Sequence, residues 1–126
     1  MSKKQLFSLE FKVRCSPTIL YEFLSTPAGL QEWFADGVDQ RESTFYFNWN
    51  GSVDTAEMIE NFENQYVRYR WDYAPKEEFF EFRIEQSPLT GDTMFKITDF
   101  AEKADLKDQE RLWNSQVADL KHRIGS

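Results

Sequence analysis

Apolar and polar side chains alternate along most of residues 7–100, and this alternation constrains the fold more than any other feature of the sequence. In the first alternating stretch the apolar residues are Phe7, Leu9, Phe11 and Val13. A period of two predicts a strand with one buried face. The pattern returns between residues 38 and 100, where turn signals such as Asn50-Gly51 separate the stretches. Short strands that follow one another through turns indicate an antiparallel sheet, here of about six to seven strands, because parallel pairs need long crossovers.

Two helix start signals follow the first predicted strand. Ser16-Pro17 and Thr26-Pro27 each place a hydroxyl side chain, which can cap a helix, directly before a proline at the first helical position. Apolar residues at helical spacing follow both signals. We therefore predict two short helices in tandem, the second of which ends near Gly37.

Helical spacing returns after residue 100. Asp105 is suited to cap a helix of about 18 residues, and the apolar stripe of this helix consists of Leu106, Trp113, Val117, Leu120 and Ile124. The order of elements predicts an α+β fold in which a curved antiparallel sheet holds the long C-terminal helix in its concave face. The chain shows no repeat and no linker, so we expect a single domain over residues 1–126.

The aromatic content is high, since 12 Phe, 5 Tyr and 4 Trp make up 17% of the chain. This composition excludes a disordered chain, a collagen-like repeat and a coiled coil. The strand parities place seven rings on one face of the sheet, opposite Trp113 on the helix. They are Phe45, Phe47, Trp49, Tyr69, Trp71, Phe80 and Phe82.

The charge argues against a nucleic-acid partner, because 15 basic and 22 acidic residues give a net charge of −7. Residues 31–65 hold eight acidic residues and one basic residue, Arg41. This acidic segment is a candidate surface for a basic partner. It is also consistent with a solvated face that keeps a small protein soluble.

Other features of the chain bear on its compartment and assembly. The single cysteine, Cys15, cannot form an internal disulfide, which agrees with a reducing compartment. The N-terminus has no signal-peptide stretch, and no apolar run is long enough for a membrane span. We expect a cytoplasmic protein that is a monomer or a weak homodimer, since edge strands of the sheet could pair.

The sequence offers little support for an enzyme. His122, the single histidine, lies between Lys121 and Arg123, which indicates a surface position, and no zinc spacing or glycine-rich phosphate loop is present. Glu57 shares the parity of Ile59 and would face the core as a possible acid or base. A bulge near it, or a core side formed by Ala56 and Met58, would instead turn it to solvent. We predict no catalytic residue, no metal and no cofactor.

Three segments resemble a known family. Residues 21–36, which contain the second helix start and Trp33-Phe34, are similar to the double-helix segment of domains related to the activator of Hsp90 ATPase. Residues 67–71 resemble the central strand of that group. Residues 97–102, followed by Leu112-Trp113, resemble the last strand and grip helix of bacterial START-like proteins. Together with the order of elements, these three segments resemble the helix-grip fold of the START-like and Bet v 1-like superfamily, and the resemblance covers nearly the whole chain.

The resemblance implies an internal apolar cavity between the sheet and the terminal helix. Its mouth would lie near the second short helix, at Trp33 and Phe34. The candidate ligand-binding residues are Trp33, Phe34, Phe47, Trp49, Tyr69, Trp71, Phe82, Trp113 and Val117. The alternative is that these rings fill the space and leave a solid core.

Three functions are compatible with this family, because a shared fold does not transmit an activity. The first is binding of an apolar or amphipathic, lipid-like small molecule in the cavity. The second is a protein-interaction or co-chaperone-like module that resembles the Hsp90-activator domain and uses the acidic segment. The third and less favoured is a cyclase- or hydrolase-like enzyme, for which Glu57 is the best candidate residue.

Overall fold

One antiparallel sheet organises the computed structural model, which describes residues 4–125. Its strands are β1 (Lys4–Val13), β2 (Gly37–Arg41), β3 (Thr44–Trp49), β4 (Ser52–Phe62), β5 (Tyr66–Trp71), β6 (Phe80–Gln86) and β7 (Thr93–Glu102). Within the described residues the strand order is β1-β7-β6-β5-β4-β3-β2, and each neighbouring pair is antiparallel. The helices are α1 (Pro17–Ser25), α2 (Pro27–Leu30) and α3 (Leu106–Ile124). The predicted α+β class is confirmed.

The tandem helices begin at the predicted residues, but α2 is shorter than predicted. The Ser16 hydroxyl accepts a hydrogen bond from Ile19 N at 3.2 Å, and the Thr26 hydroxyl accepts one from Gly29 N at 3.0 Å. The prediction that the second helix ends near Gly37 is wrong. Three amide groups, those of residues 33–35, all donate to the carbonyl of Leu30, so the chain turns sharply there instead of continuing a helix.

The terminal helix α3 begins and ends close to the predicted positions. Asp105 occupies the predicted N-cap position, but its side chain makes no capping hydrogen bond. The prediction is therefore correct for the position and wrong for the hydrogen bond. Gly125 ends the helix with φ 74°, a conformation that glycine adopts without the cost of a Cβ. Among residues 4–125, no helix has the length and apolarity needed to span a membrane.

Ala56, and not Glu57, faces the core from β4, and the bulge in this strand lies beyond both residues. The pairing of β4 with β5 shifts between Met58 and Glu60. Ala56 is fully buried opposite Phe45, whereas Glu57 is exposed. The inward orientation considered for Glu57 is therefore excluded, and its carboxylate accepts hydrogen bonds from hydroxyl groups outside the core.

Aromatic rings fill the space between the concave face of the sheet and α3. Phe47, Tyr69 and Phe82 are fully buried there, and Trp113 of α3 is 5% exposed. The polar atoms of this core are paired: the Tyr69 hydroxyl donates to Leu24 O at 2.7 Å, and Trp33 Nε1 donates to Phe23 O at 2.8 Å. Within the described residues, no buried side-chain nitrogen or oxygen lacks a partner. The centre of the protein is a packed aromatic core.

The crossing of α1 and α2 is close enough to require glycine at position 29. A Cβ built on Gly29 would lie 2.2 Å from Glu22 O and 2.5 Å from Phe23 Cα, both of which are backbone atoms of α1. We expect Gly29→Ala to lower the free energy of unfolding by at least about 2 kcal/mol, because the two helices must separate. Urea denaturation measures this change.

Gly37→Ala is the matched control for that variant. A Cβ at this position meets only Asn48 Cβ, at 3.8 Å, which is an ordinary van der Waals distance. We expect a change of less than about 0.5 kcal/mol. Equal destabilisation by the two substitutions would contradict a steric role for Gly29.

Candidate functional site

Two clefts open to solvent beside α3. The first, which we call the helix–sheet cleft, has a volume of about 370 Å³. It lies where β3 and β5 end and the N-terminal half of α3 crosses the sheet. Its lining residues are Phe34, Trp49, Trp71, Asp99, Gln109, Leu112, Trp113 and Gln116.

Three tryptophans supply most of the apolar wall of the helix–sheet cleft. Trp49 and Trp71 are the last residues of β3 and β5, and their ring centroids are 6.0 Å apart. Trp113 stacks on Phe34, with centroids 5.7 Å apart and planes 14° apart. The strand-end tryptophans share the parity of the buried rings on the same strands, so they face the concave side. At the strand ends the packing is incomplete, and both remain partly exposed.

The backbone carbonyl of Phe34 holds one side chain of the sheet and one of α3 at the edge of the cleft. Its carbonyl oxygen accepts hydrogen bonds from Trp49 Nε1 at 2.9 Å and from Gln116 Nε2 at 3.0 Å. The first donor lies on the sheet and the second on α3. These two hydrogen bonds therefore fix the distance between the sheet and the helix on either side of the cleft.

Asp99 places a carboxylate in this largely apolar cleft. It lies on β7 with the same parity as the buried Phe95 and Ile97, so its side chain points to the concave face. Its carboxylate accepts hydrogen bonds from Phe100 N at 2.7 Å and from Trp113 Nε1 at 3.0 Å. Burial raises the pKa of Asp99 from 3.8 to about 6, although both hydrogen bonds act in the opposite direction.

The second cleft, which we call the polar groove, is larger and more polar. It has a volume of about 600 Å³ and lies between the segment after α2 and the C-terminal half of α3. Its lining residues are Gln31, Glu32, Trp33, Phe34, Ala35, Asp36, Trp49, Gln116, Asp119, His122 and Arg123. The Arg123 guanidinium lies 3.5 Å from the Glu32 carboxylate. Among residues 4–125, no group of three or more His, Cys, Asp or Glu side chains could hold a metal ion.

The structure divides the predicted ligand-binding residues into two sets. Phe34, Trp49, Trp71 and Trp113 line the helix–sheet cleft. Phe34 and Trp113 belong to the packed core as well. The remaining predicted residues lie in the core and do not border the helix–sheet cleft, although Trp33 borders the polar groove. They are Trp33, Phe47, Tyr69, Phe82 and Val117. Trp33 and Phe34, expected at the mouth of a cavity, are 5% and 4% exposed, and of the two only Phe34 borders both clefts.

Four lining residues were absent from the sequence prediction: Asp99, Gln109, Leu112 and Gln116. The signal for Asp99 is present in the strand pattern, because this acid takes the place of an apolar residue between Ile97 and Ala101. The signal for the three helix residues is absent. They lie beside the apolar stripe of α3, and only the position of the sheet decides that they border a cleft.

The buried carboxylate predicts a particular pH dependence of stability. Between about pH 4 and pH 6 the folded protein binds more protons at Asp99 than the unfolded chain does, because the folded pKa is raised. Asp99 therefore lowers the free energy of unfolding as the pH rises through this range. We expect the contribution of Asp99 to the free energy of unfolding to rise by about 1 kcal/mol when the pH falls from 7 to 5.

Urea denaturation at the two pH values, for wild type and Asp99→Asn, isolates this contribution, since the asparagine does not titrate. Asp92→Asn is the control, because this half-exposed carboxylate has a pKa lowered by hydrogen bonds from Thr90 and Lys12. A wild-type pH dependence identical to that of Asp99→Asn would contradict the raised pKa of Asp99.

Comparisons with known proteins agree with this architecture. A solution NMR structure of BfR322 from Bacteroides fragilis is 32% identical over 98% of this chain and 93% of its own, with a TM-score of 0.69. The Aha1 dimer from Colwellia psychrerythraea is 20% identical over 93% of both chains, with a TM-score of 0.77. MLL2253 from Mesorhizobium loti is 15% identical over 96% of this chain and 97% of its own, with a TM-score of 0.78.

The last two likenesses concern the fold alone, because their sequence identities are low. No curated protein matches the sequence. The sequence model of the START-like superfamily domain matches residues 1–126. The chain therefore belongs to the START-like superfamily.

Proposed function

We propose that this protein binds an apolar or amphipathic small molecule in the helix–sheet cleft. The observation that carries the proposal is an apolar wall of the partly exposed Trp49 and Trp71, the buried Trp113, and Leu112, which is 53% exposed on α3. The cleft volume of about 370 Å³ lies within the usual range for small-molecule sites.

The physical basis of this binding is burial of apolar area. Each Å² of apolar surface removed from water contributes about 25 cal/mol. A ligand lying between Trp49 and Leu112 would cover surface on both walls and lose its own hydration. The polar groups of the cleft, which are the carboxylate of Asp99 and the amides of Gln109 and Gln116, would fix its orientation.

The packed core supports a site at the surface of the fold in preference to one at its centre. Phe47, Tyr69 and Phe82 are fully buried against neighbouring rings, as is the smaller Val117. A ligand at the centre would have to displace several of these side chains and break the Tyr69 hydrogen bond to Leu24 O. A ligand in the helix–sheet cleft displaces only solvent.

Leu112→Arg tests the proposal without disturbing the core, because arginine is a good helix former and the position is half exposed. With 1-octanol as the probe, NMR titration of the wild type should shift the indole N–H signals of Trp49, Trp71 and Trp113. The variant should bind octanol at least about fivefold more weakly, because it loses apolar contact area.

Leu89→Arg is the matched control, since Leu89 is 94% exposed in the turn before β7 and borders neither cleft. It should bind octanol as the wild type does. Equal affinity of the two arginine variants, or octanol-induced shifts that avoid the three indoles, would reject the helix–sheet cleft as the binding site.

A second candidate function is a protein-interaction module that engages a basic partner. The observation in its favour is that all eight acidic residues of the segment 31–65 are exposed. They are Glu32, Asp36, Asp39, Glu42, Asp54, Glu57, Glu60 and Glu63. An acidic surface attracts a basic partner and raises the association rate at low salt.

Binding to a purified Hsp90 chaperone, measured by calorimetry at low and high salt, tests this candidate. A triple neutral variant should bind at least about threefold more weakly at low salt, with the changes Asp39→Asn, Asp54→Asn and Glu63→Gln. The control carries as many neutral changes at exposed acids elsewhere, Glu10→Gln, Glu77→Gln and Glu85→Gln. Absence of binding at low salt would contradict a role as a chaperone partner.

A weak homodimer stays a prediction. The edges of the sheet are β1 and β2, and β2 has only five residues, Gly37–Arg41. The other edge, β1, has ten residues, and both edges carry exposed charged side chains, which discourage pairing with another sheet. This supports a monomer or a weak dimer over a stable one.

A further inference from the structure

The carboxylate of Asp99 has no cationic partner in direct contact within residues 4–125. Its two hydrogen-bond donors are an indole and a backbone amide, both neutral. Lys4 is near enough to lower the pKa of Asp99, but its ammonium group lies 3.4 Å from the Glu78 carboxylate, which it also neutralises. The helix–sheet cleft therefore carries a carboxylate that no cation of the described residues contacts directly.

The aromatic walls add to this negative character. The face of an aromatic ring carries partial negative charge and attracts a cation, most strongly when the ring is tryptophan. Trp49 and Trp71 line the same cleft as Asp99, and Trp113 donates its indole N–H to the Asp99 carboxylate. The indole N–H of Trp113 points at the Asp99 carboxylate, so the positive edge of this ring is already paired. The parts of the Trp49 and Trp71 rings that line the cleft favour a cation.

A carboxylate in an apolar cleft discriminates among ligands by charge. An anionic ligand would be repelled by Asp99 in surroundings where solvent screens charge poorly. A neutral ligand would cover the carboxylate, remove its remaining water and offer no compensating charge. A cationic ligand would replace the lost hydration with a direct electrostatic attraction.

We propose that the helix–sheet cleft selects organic cations: ligands whose protonated or quaternary amine lies against the Asp99 carboxylate and the rings of Trp49 and Trp71, and whose apolar body packs on Leu112. This inference rests on the proposed small-molecule function and names the ligand class for the same site. It requires the carboxylate to be ionised when the ligand binds.

The charges of the groups that face Asp99 decide whether a pH dependence of cation binding can be assigned to this carboxylate. Lys4 on β1 is cationic and Glu78 before β6 is anionic. Tyr73 after β5 is neutral, because a phenol ionises only well above pH 7. The residues of α3 that border Asp99 in the cleft are uncharged. Asp99, with its pKa of about 6, is then the group whose charge changes most between pH 5 and pH 7. Affinity for a cation should rise over this interval.

Three probes of similar shape and different charge test the inference on the wild-type protein. They are benzyltrimethylammonium, its neutral carbon isostere neopentylbenzene, and the anion 3-phenylpropanoate. NMR titration at pH 7 should give an affinity for the ammonium at least about tenfold higher than for the neutral isostere, with weaker binding of the anion. Because the quaternary ammonium does not titrate, its affinity should fall severalfold at pH 5, while that of the isostere should not.

Asp99→Asn removes the charge with little change of shape. The variant should lose the preference for the ammonium over the isostere and its dependence on pH. Asp119→Asn is the matched control, because Asp119 borders the polar groove and not the helix–sheet cleft. It should retain the wild-type preference. The wild-type pH comparison keeps the test decisive even where the Asp99 variant folds poorly.

The outcomes separate this inference from the proposed function. Octanol and the neutral isostere binding as well as or better than the ammonium would overturn cation selection and leave small-molecule binding intact. A preference for the ammonium that persists at pH 5, or in Asp99→Asn, would overturn the role of Asp99. Failure of all probes, octanol included, to shift signals of the cleft would overturn both.

Discussion

Phe34 joins the three parts of the fold, and the arrangement of the rest depends on it. Its ring stacks on Trp113 of α3 and packs edge-on against Phe47 of β3, while its carbonyl accepts hydrogen bonds from Trp49 and Gln116. The ring reaches the core because α2 ends at Leu30 and the chain then turns inward. A longer second helix would carry Phe34 away from these partners. The early end of α2 is therefore a structural requirement.

The helix–sheet cleft is a consequence of how the sheet and helix meet. Large rings fill the interior where the strands run beneath α3, because an aromatic side chain buries much apolar area. At the ends of β3 and β5 the rings of Trp49 and Trp71 are only partly covered by their neighbours. Free volume remains there, and β7 brings Asp99 into it. A buried acid in an otherwise apolar position costs stability, and such local departures from good packing concentrate at functional sites.

Most of the fold could be predicted from the sequence because its signals are local. Alternation identifies strands, and Ser16-Pro17 and Thr26-Pro27 identify helix starts, since each depends on neighbouring residues alone. The length of α2 could not be predicted, because the turn after Leu30 depends on where Phe34 packs. The direction of Glu57 could not be predicted, because apolar residues of β4 fall on both parities and only the packing of Ala56 opposite Phe45 selects the core side.

The candidate site was only partly predictable for the same reason. The sequence places Trp49, Trp71 and Trp113 on faces that meet, and the structure brings them together. It does not reveal that Phe47, Tyr69 and Phe82 are sealed inside while the strand-end tryptophans are open. That difference arises from the depth at which α3 crosses the sheet. Depth is a tertiary property, which no spacing of residues along one strand encodes.

The positions of the tryptophans give the molecule a built-in optical reporter. All four belong to one connected group of rings, in which Phe34 contacts Trp33, Trp49 and Trp113, and Trp49 contacts Trp71. Indoles this close share excitation energy, so their emission and their near-ultraviolet circular dichroism arise from the group as a whole. Intrinsic fluorescence of the unlabelled protein therefore registers events at the surface of α3 and in the buried core as one signal.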